Sequence, residues 1–126
     1  MHSLVSSVFL LVAADAGSHA DPQDDLPAIH AAAAQGDTRA QLKLGFRYRF
    51  GIGLPMDYAQ AAQWYLKAAQ QGHPGAQTIV GLLCVLGDGL PKNAENGKTW
   101  LCRAADQGDT EAQIQLELLE EGVMMI

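Results

Sequence analysis

The dipeptide Gln-Gly returns at residues 35, 71 and 107, thirty-six positions apart each time, and enough of the surrounding sequence returns with it to define a repeat array. Ala-Gln keeps the same beat at Ala40-Gln41, Ala76-Gln77 and Ala112-Gln113. Gly51 and Gly53 come back as Gly87 and Gly89, and Leu54-Pro55 as Leu90-Pro91. Superposing 40–75 on 76–111 also places Trp64 on Trp100, Gly45 on Gly81 and Ala68-Ala69 on Ala104-Ala105. A unit of this length buries its apolar face only against its neighbours, so the array is expected to stack as a solenoid.

Glycine and proline divide each unit into two helices. Helix A of the first unit spans 39 to 50 and stops at Gly51-Ile52-Gly53-Leu54-Pro55. Helix B runs from Asp57, an N-cap, to Gln71, where Gly72 supplies the left-handed residue that ends a helix. The second unit copies the plan, with helix A over 75 to 86, a loop from Gly87 to Lys92, and helix B from Asn93 to Gln107 before Gly108. A third helix A covers 110 to 121. Abundant alanine and an aromatic content of only 6% suit closely packed helices. Ala40, Leu44 and Tyr48 share one helix face, and Ala61, Tyr65, Ala68 and Ala69 form the stripe opposite. Gly45 and Gly81 stand inside helices, where glycine costs ~1 kcal/mol against alanine, so each implies a close contact. The expectation is that Trp64 and Trp100 fill the matching spaces, with truncation costing ~3 to 5 kcal/mol.

These residues carry a family resemblance. Ala40, Leu44-Gly45, Tyr48, Gly51-Ile52-Gly53, Ala61, Trp64-Tyr65, Lys67-Ala68-Ala69 and Gln71-Gly72 together resemble a Sel1-like repeat. The second copy departs at Cys84, which replaces the tyrosine, at Gly97, which replaces the helix B alanine, and at Leu101, which replaces the second aromatic. The resemblance implies an all-α solenoid of αα-hairpins related to tetratricopeptide superhelices. It has full repeats at 40–75 and 76–111, a linker and capping helix over 21–39, and a partial repeat or cap over 112–126 in which Glu117 replaces the internal glycine. It further implies an adaptor surface for proteins or peptides and no shared reaction.

The N-terminus is different in kind. Val5, Val8, Phe9, Leu10, Leu11 and Val12 lie in an apolar run from Leu4 to Ala14 that is too short to span a bilayer. Small residues Ser18 and Ala20 flank His19 ahead of Asp21-Pro22, so residues 1–20 read as a signal peptide cleaved after Ala20, with Ala16 the second choice. The alternatives are an apolar helix docked on the fold and a misassigned start. A periplasmic or secreted location follows from the signal reading. At the other end, Val123-Met124-Met125-Ile126 is an apolar tail, expected to fold back over the last repeat, with pairing to a second copy as the alternative.

Eight Lys and Arg against fourteen Asp and Glu give a formal charge of −6, which repels nucleic acid phosphates and anionic lipid at long range. Catalytic chemistry is poorly supplied. All four serines, Ser3, Ser6, Ser7 and Ser18, fall within the signal segment, which argues against serine acyl-enzyme chemistry of the β-lactam type. Beyond the signal, His30 and His73 sit in different repeats, without HxxxH or CxxC spacing, so neither a metal site nor a cofactor is expected. Gly51-Ile52-Gly53 and Gly87-Asp88-Gly89 lack the preceding strand and following Lys-Ser/Thr of phosphate loops and read as turns. Cys84 and Cys102, an even count in an oxidising compartment, allow a disulfide that would contribute ~3 kcal/mol. Two buried free thiols are the other reading. Cysteine-rich relatives bridge their helix pairs at other motif positions.

One stripe does not repeat. Arg39, Lys43 and Arg47 stand at i, i+4, i+8 on the first helix A, where the second unit has Gly75, Ile79 and Leu83. If helix A lines the inner curve, as the resemblance implies, a groove passes from these basic residues through apolar Ile79 and Leu83 to acidic Glu111 and Glu117. Such a groove would hold a protein segment or extended peptide with an acidic end. The competing expectations are a cell-wall or β-lactam-related binding protein or enzyme, and a purely structural subunit of an envelope complex.

Overall fold

The computed structural model describes residues 25–122; the expected signal peptide and the tail Val123–Ile126 lie outside the described residues. Six helices follow one another: α1 Leu26–Ala34, α2 Thr38–Phe50, α3 Tyr58–Gln70, α4 Pro74–Leu86, α5 Ala94–Asp106 and α6 Thr110–Glu120. No strand occurs among the described residues. Each helix packs chiefly on its neighbours in sequence, which is the contact pattern of a stack of αα-hairpins. In repeat terms α2 and α4 are full helices A and α3 and α5 full helices B. Among the described residues the outermost helices are a helix B without its helix A, α1, and a helix A without its helix B, α6.

Local chemistry sets the boundaries. The side chains of Asp37, Asp57, Asn93 and Asp109 accept hydrogen bonds from the first free amides of α2, α3, α5 and α6. His73 is half-buried and caps α4, its Nδ1 accepting from the amide of Ala76 at 3.1 Å. At the A-to-B corners Gly51 and Gly87 take φ of 65° and 75°. The amides of Asp57 and Asn93 then return to the carbonyls of Tyr48 (2.8 Å) and Cys84 (2.7 Å), so both corners close alike.

The core divides into three clusters, one at each step of the stack. Ile29, Ala33, Ala40 and Leu44 join α1 to α2; Ala61, Tyr65, Ala68, Ala76 and Val80 lie at the heart of the middle cluster; Leu101, Ala104 and Ala112 tie α5 to α6. Burying Leu44 and Leu101, both fully inaccessible, contributes ~1.5 to 3 kcal/mol each. The expected contact at the helix glycines is present, but the tryptophans do not make it. A β-carbon at Gly45 would stand 3.0 Å from Cδ1 and Cε1 of Tyr65, and one at Gly81 would stand 2.8 Å from Cγ of Leu101. Trp64 and Trp100 are half-buried, each with a cation from the next turn over its ring: Lys67 Nζ at 4.8 Å and the Arg103 guanidinium at 4.8 Å. The aromatic one residue further along helix B points inward because the helix turns about 100° per residue.

Gly97 shows why the second repeat departs from the motif. A β-carbon there would meet the carbonyl oxygen of Gly81 at 2.7 Å and Cγ2 of Val85 at 2.5 Å, so α4 and α5 cross on paired glycines where α2 and α3 use Gly45 and Ala61. The second loop also reaches back one repeat, since a β-carbon on Gly89 would lie 2.5 Å from the carbonyl oxygen of Tyr58 at the start of α3.

Candidate partner-binding surface

The five residues expected to line one groove do not lie together on an open surface. Arg39 is exposed and Lys43 and Arg47 are half-buried on α2, whereas Ile79 is packed against the middle cluster and Leu83 is only 4% accessible within it. Helix geometry explains the correction. Residues 75, 79 and 83 occupy the side of helix A that packs on the preceding repeat, and 39, 43 and 47 occupy the same side where no earlier helix A stands among the described residues. Among the described residues the basic stripe therefore lies on the side of the first repeat that faces no other repeat, and Leu83 is core.

An unforeseen set of residues forms the open face of the A helices. Phe46 and Phe50 on α2 touch with ring centroids 4.7 Å apart. Their counterparts one repeat on are Leu82 and Leu86, and Leu118 continues the first column on α6. Leu86 is 38% accessible, the others are half-buried, and none of the five belongs to a core cluster. The signal was present in the sequence as the recurrence of an apolar residue at 46, 82 and 118, but the conspicuous charges of the adjacent stripe drew the assignment away from it.

The remaining polar groups are structural. Arg49 bonds Asp88 at 2.9 Å and lies over the Tyr58 ring at 5.0 Å, tying α2 to the second loop and to α3. Burial pushes the Tyr65 hydroxyl up to about 12, partly opposed by the Arg49 charge. His30 meets Tyr48 and Trp64 edge-on, with centroids 6.3 and 6.5 Å away, an arrangement that binds three helices together and offers no ligand set. Cys84 is buried and Cys102 exposed, and the structure holds both as free thiols. Burial also raises the Cys84 thiol above its ordinary value. Among the described residues no cluster of His, Cys, Asp and Glu is arranged to hold a metal ion, and no helix is long and apolar enough to cross a membrane.

Paired helices stacked at a constant period, with glycine where helix A meets helix B in each full repeat and a Gln-Gly turn between hairpins, define an αα-hairpin repeat scaffold. Comparison with known proteins gives the family. The Sel1 repeat matches at residues 38–73 and 74–109, more than half of the chain, and the chain belongs to the Sel1 repeat family. A Sel1 repeat protein from Oxalobacter formigenes is similar in structure, with 33% identity, a TM-score of 0.73, and coverage of 77% of this chain and 73% of that one. The c5321 protective antigen of uropathogenic Escherichia coli, which displays an SLR fold, shares 38% identity at a TM-score of 0.73. The match spans 81% of this chain and 22% of the antigen. Helicobacter pylori cysteine rich protein B shares the fold at 24% identity, with a TM-score of 0.70 over 76% of this chain and 72% of its own. Among curated proteins no match is found. Sel1 repeat proteins generally mediate protein–protein interaction, and the family is typically one of scaffolds without enzymatic activity.

Proposed function

We propose that this chain is an exported Sel1 repeat adaptor whose helix A face holds an apolar segment of a partner protein. The observation that carries the reading is the column of Phe46, Phe50, Leu82, Leu86 and Leu118, large apolar side chains standing outside every core cluster. Apolar side chains grouped on the surface mark interaction sites. Aromatic and leucine side chains at i, i+4 spacing on successive helices suit a partner that lays apolar side chains across the stack. The leading apolar run, Leu4 to Ala14, supports export to the periplasm or beyond.

Photo-crosslinking from positions 50 and 86 in the native envelope, followed by mass spectrometry, tests both parts. A dominant protein adduct, lost in Phe46→Asp/Leu82→Asp with helical content unchanged, is expected. An adduct that persists in that variant would overturn the face. A cytoplasmic chain that keeps residues 1–20 would overturn export.

A further inference from the structure

A ladder of glutamines runs through the stack and stops unfilled at both ends. In each full repeat the Ala-Gln glutamine of helix A donates to the preceding helix B: Gln41 Nε2 to the Ala33 carbonyl at 3.1 Å and Gln77 Nε2 to the Ala69 carbonyl at 3.2 Å. The Gln-Gly glutamine that closes helix B of the same repeat then donates to it, Gln71 Nε2 to Gln41 Oε1 at 2.8 Å and Gln107 Nε2 to Gln77 Oε1 at 2.9 Å. On α6, Gln113 Nε2 reaches the Ala105 carbonyl at 3.4 Å, but its Oε1 receives no donor from the described residues. On α1, Gln35 holds the donor position of Gln71 and Gln107 and is exposed, with no acceptor among the described residues. The acceptor lies on an unaccompanied helix A and the donor on an unaccompanied helix B.

The two ends also match in shape and charge. At the first end a cavity of about 540 Å³ opens between α1 and α2, lined by Ala28, Ile29, Ala32, Asp37 and Ala40 and rimmed by Arg39 and Lys43. One repeat later the equivalent residues, including Tyr65, Ala68 and Ala76, are buried beneath α2. At the last end Ile114 is 46% exposed, although its counterparts Leu42 and Thr78 are covered by the repeat that follows them. α2 with its N-cap carries Arg39, Lys43, Arg47 and Arg49 against one acid, Asp37, while α6 with its flanking turns carries Asp109, Glu111, Glu117, Glu120 and Glu121 and no base. A basic-rimmed apolar cavity at one end thus faces, in the next molecule along, an acidic-rimmed apolar edge.

We propose that a second copy of this chain docks end to end on the first. Its α1 lies beside α6, completing a repeat across the junction, with Gln35 Nε2 donating to Gln113 Oε1. Glu117 stands where Gly45 and Gly81 receive the inward residue of helix B, and Ile29 takes the place of Tyr65. Ile29 lacks the Cε1 and Cζ atoms that crowd Gly45. The contact joins two different surfaces and so propagates along an axis.

Sedimentation equilibrium of the purified full chain tests this. Mass should rise with concentration at low salt and return to that of the monomer at high salt, where the charged rims are screened. Glu117→Lys/Glu121→Lys and Arg39→Glu/Lys43→Glu should each weaken association about tenfold or more, as interfacial charge reversals do. An equimolar mixture of the two variants should recover it, because each keeps the face that the other has lost; both remain net negative, so bulk attraction does not explain recovery. Gln113→Leu should weaken association without altering charge. A wild-type chain that stays monomeric at every concentration would overturn the proposal. So would association indifferent to salt and to both charge variants, or association lost only when Val123–Ile126 is removed. The salt series on the wild type is independent of whether any variant folds.

Discussion

The ring of Tyr65 lies flat against the α-carbon of Gly45, leaving 3.0 Å where a β-carbon would stand, and Leu101 crowds Gly81 more tightly still, at 2.8 Å. The two contacts differ in what can yield. At Gly45 the neighbour is a side-chain ring; at Gly81 it is also the carbonyl oxygen of Gly97, 2.9 Å away and fixed in a helix. Alanine gains ~1 kcal/mol of helix propensity while overpacking costs ~1 to 3 kcal/mol. Gly45→Ala should therefore remain within ~1 kcal/mol of wild type, and Gly81→Ala should lose ~2 kcal/mol, measured by urea unfolding. Equal stabilities for the two variants would refute the distinction.

Leu101 and not Trp100 anchors the second hairpin. Leu101 is fully buried, so Leu101→Ala should cost ~2 to 5 kcal/mol. Trp100 keeps one side open beneath Arg103, and Trp100→Ala should cost less despite removing more atoms. Circular dichroism in denaturant, which does not rely on the indole, decides the order.

The cap of α4 is the weak member of a series. Asp37, His73 and Asp109 occupy one position in three successive units, and only His73 caps with an uncharged imidazole nitrogen. A carboxylate there also interacts favourably with the helix N-terminus, so His73→Asp should stabilise by ~0.5 to 1 kcal/mol. A fall in melting temperature would contradict this.

Tyr65 couples stability to alkaline pH. Its hydroxyl is held up to about 12 in the fold against 10.0 in the unfolded chain. Between these values the folded state keeps a proton that the unfolded state has lost, so this contribution is present below pH 10 and falls as pH rises toward 12. The wild type should lose up to ~2 kcal/mol more than Tyr65→Phe over that range, by urea unfolding at each pH. Parallel pH profiles would show that the hydroxyl does not titrate with folding.

The thiols should divide by burial. Cys102, exposed, is expected to react with a thiol reagent in the native state, and Cys84, buried with its thiol raised by desolvation, only on unfolding. One fast and one slow equivalent is the expected count; none before reduction would reveal a bridge.

The sequence announced the fold more openly than the site. A period carried by Gln-Gly, Ala-Gln and the loop glycines fixes where helices begin, end and cross, because each of those residues answers a local demand of the backbone. Which of two adjacent aromatics points inward is set by the crossing of two helices, and Trp64 was the conspicuous residue while Tyr65 was the buried one. The basic stripe misled for a related reason. Arg39, Lys43 and Arg47 share a face with Ile79 and Leu83 in repeat coordinates but not in space, since the first repeat exposes a side that the second conceals. The Phe46, Leu82 and Leu118 column repeats as core residues repeat, and only the stack distinguishes a face turned inward from one turned out.

The loop that begins at Gly87 rests on the start of α3, with Gly89 against the Tyr58 carbonyl, and the first loop likewise places Gly53 beside Leu26 of α1. Each corner thus rests on the helix B before it. A ribosome releases the chain in that same order, so every corner emerges to find its seat already made. The array has a direction of growth as well as a direction of sequence, and losing a hairpin at its start removes a foundation where losing one at its end removes only a storey.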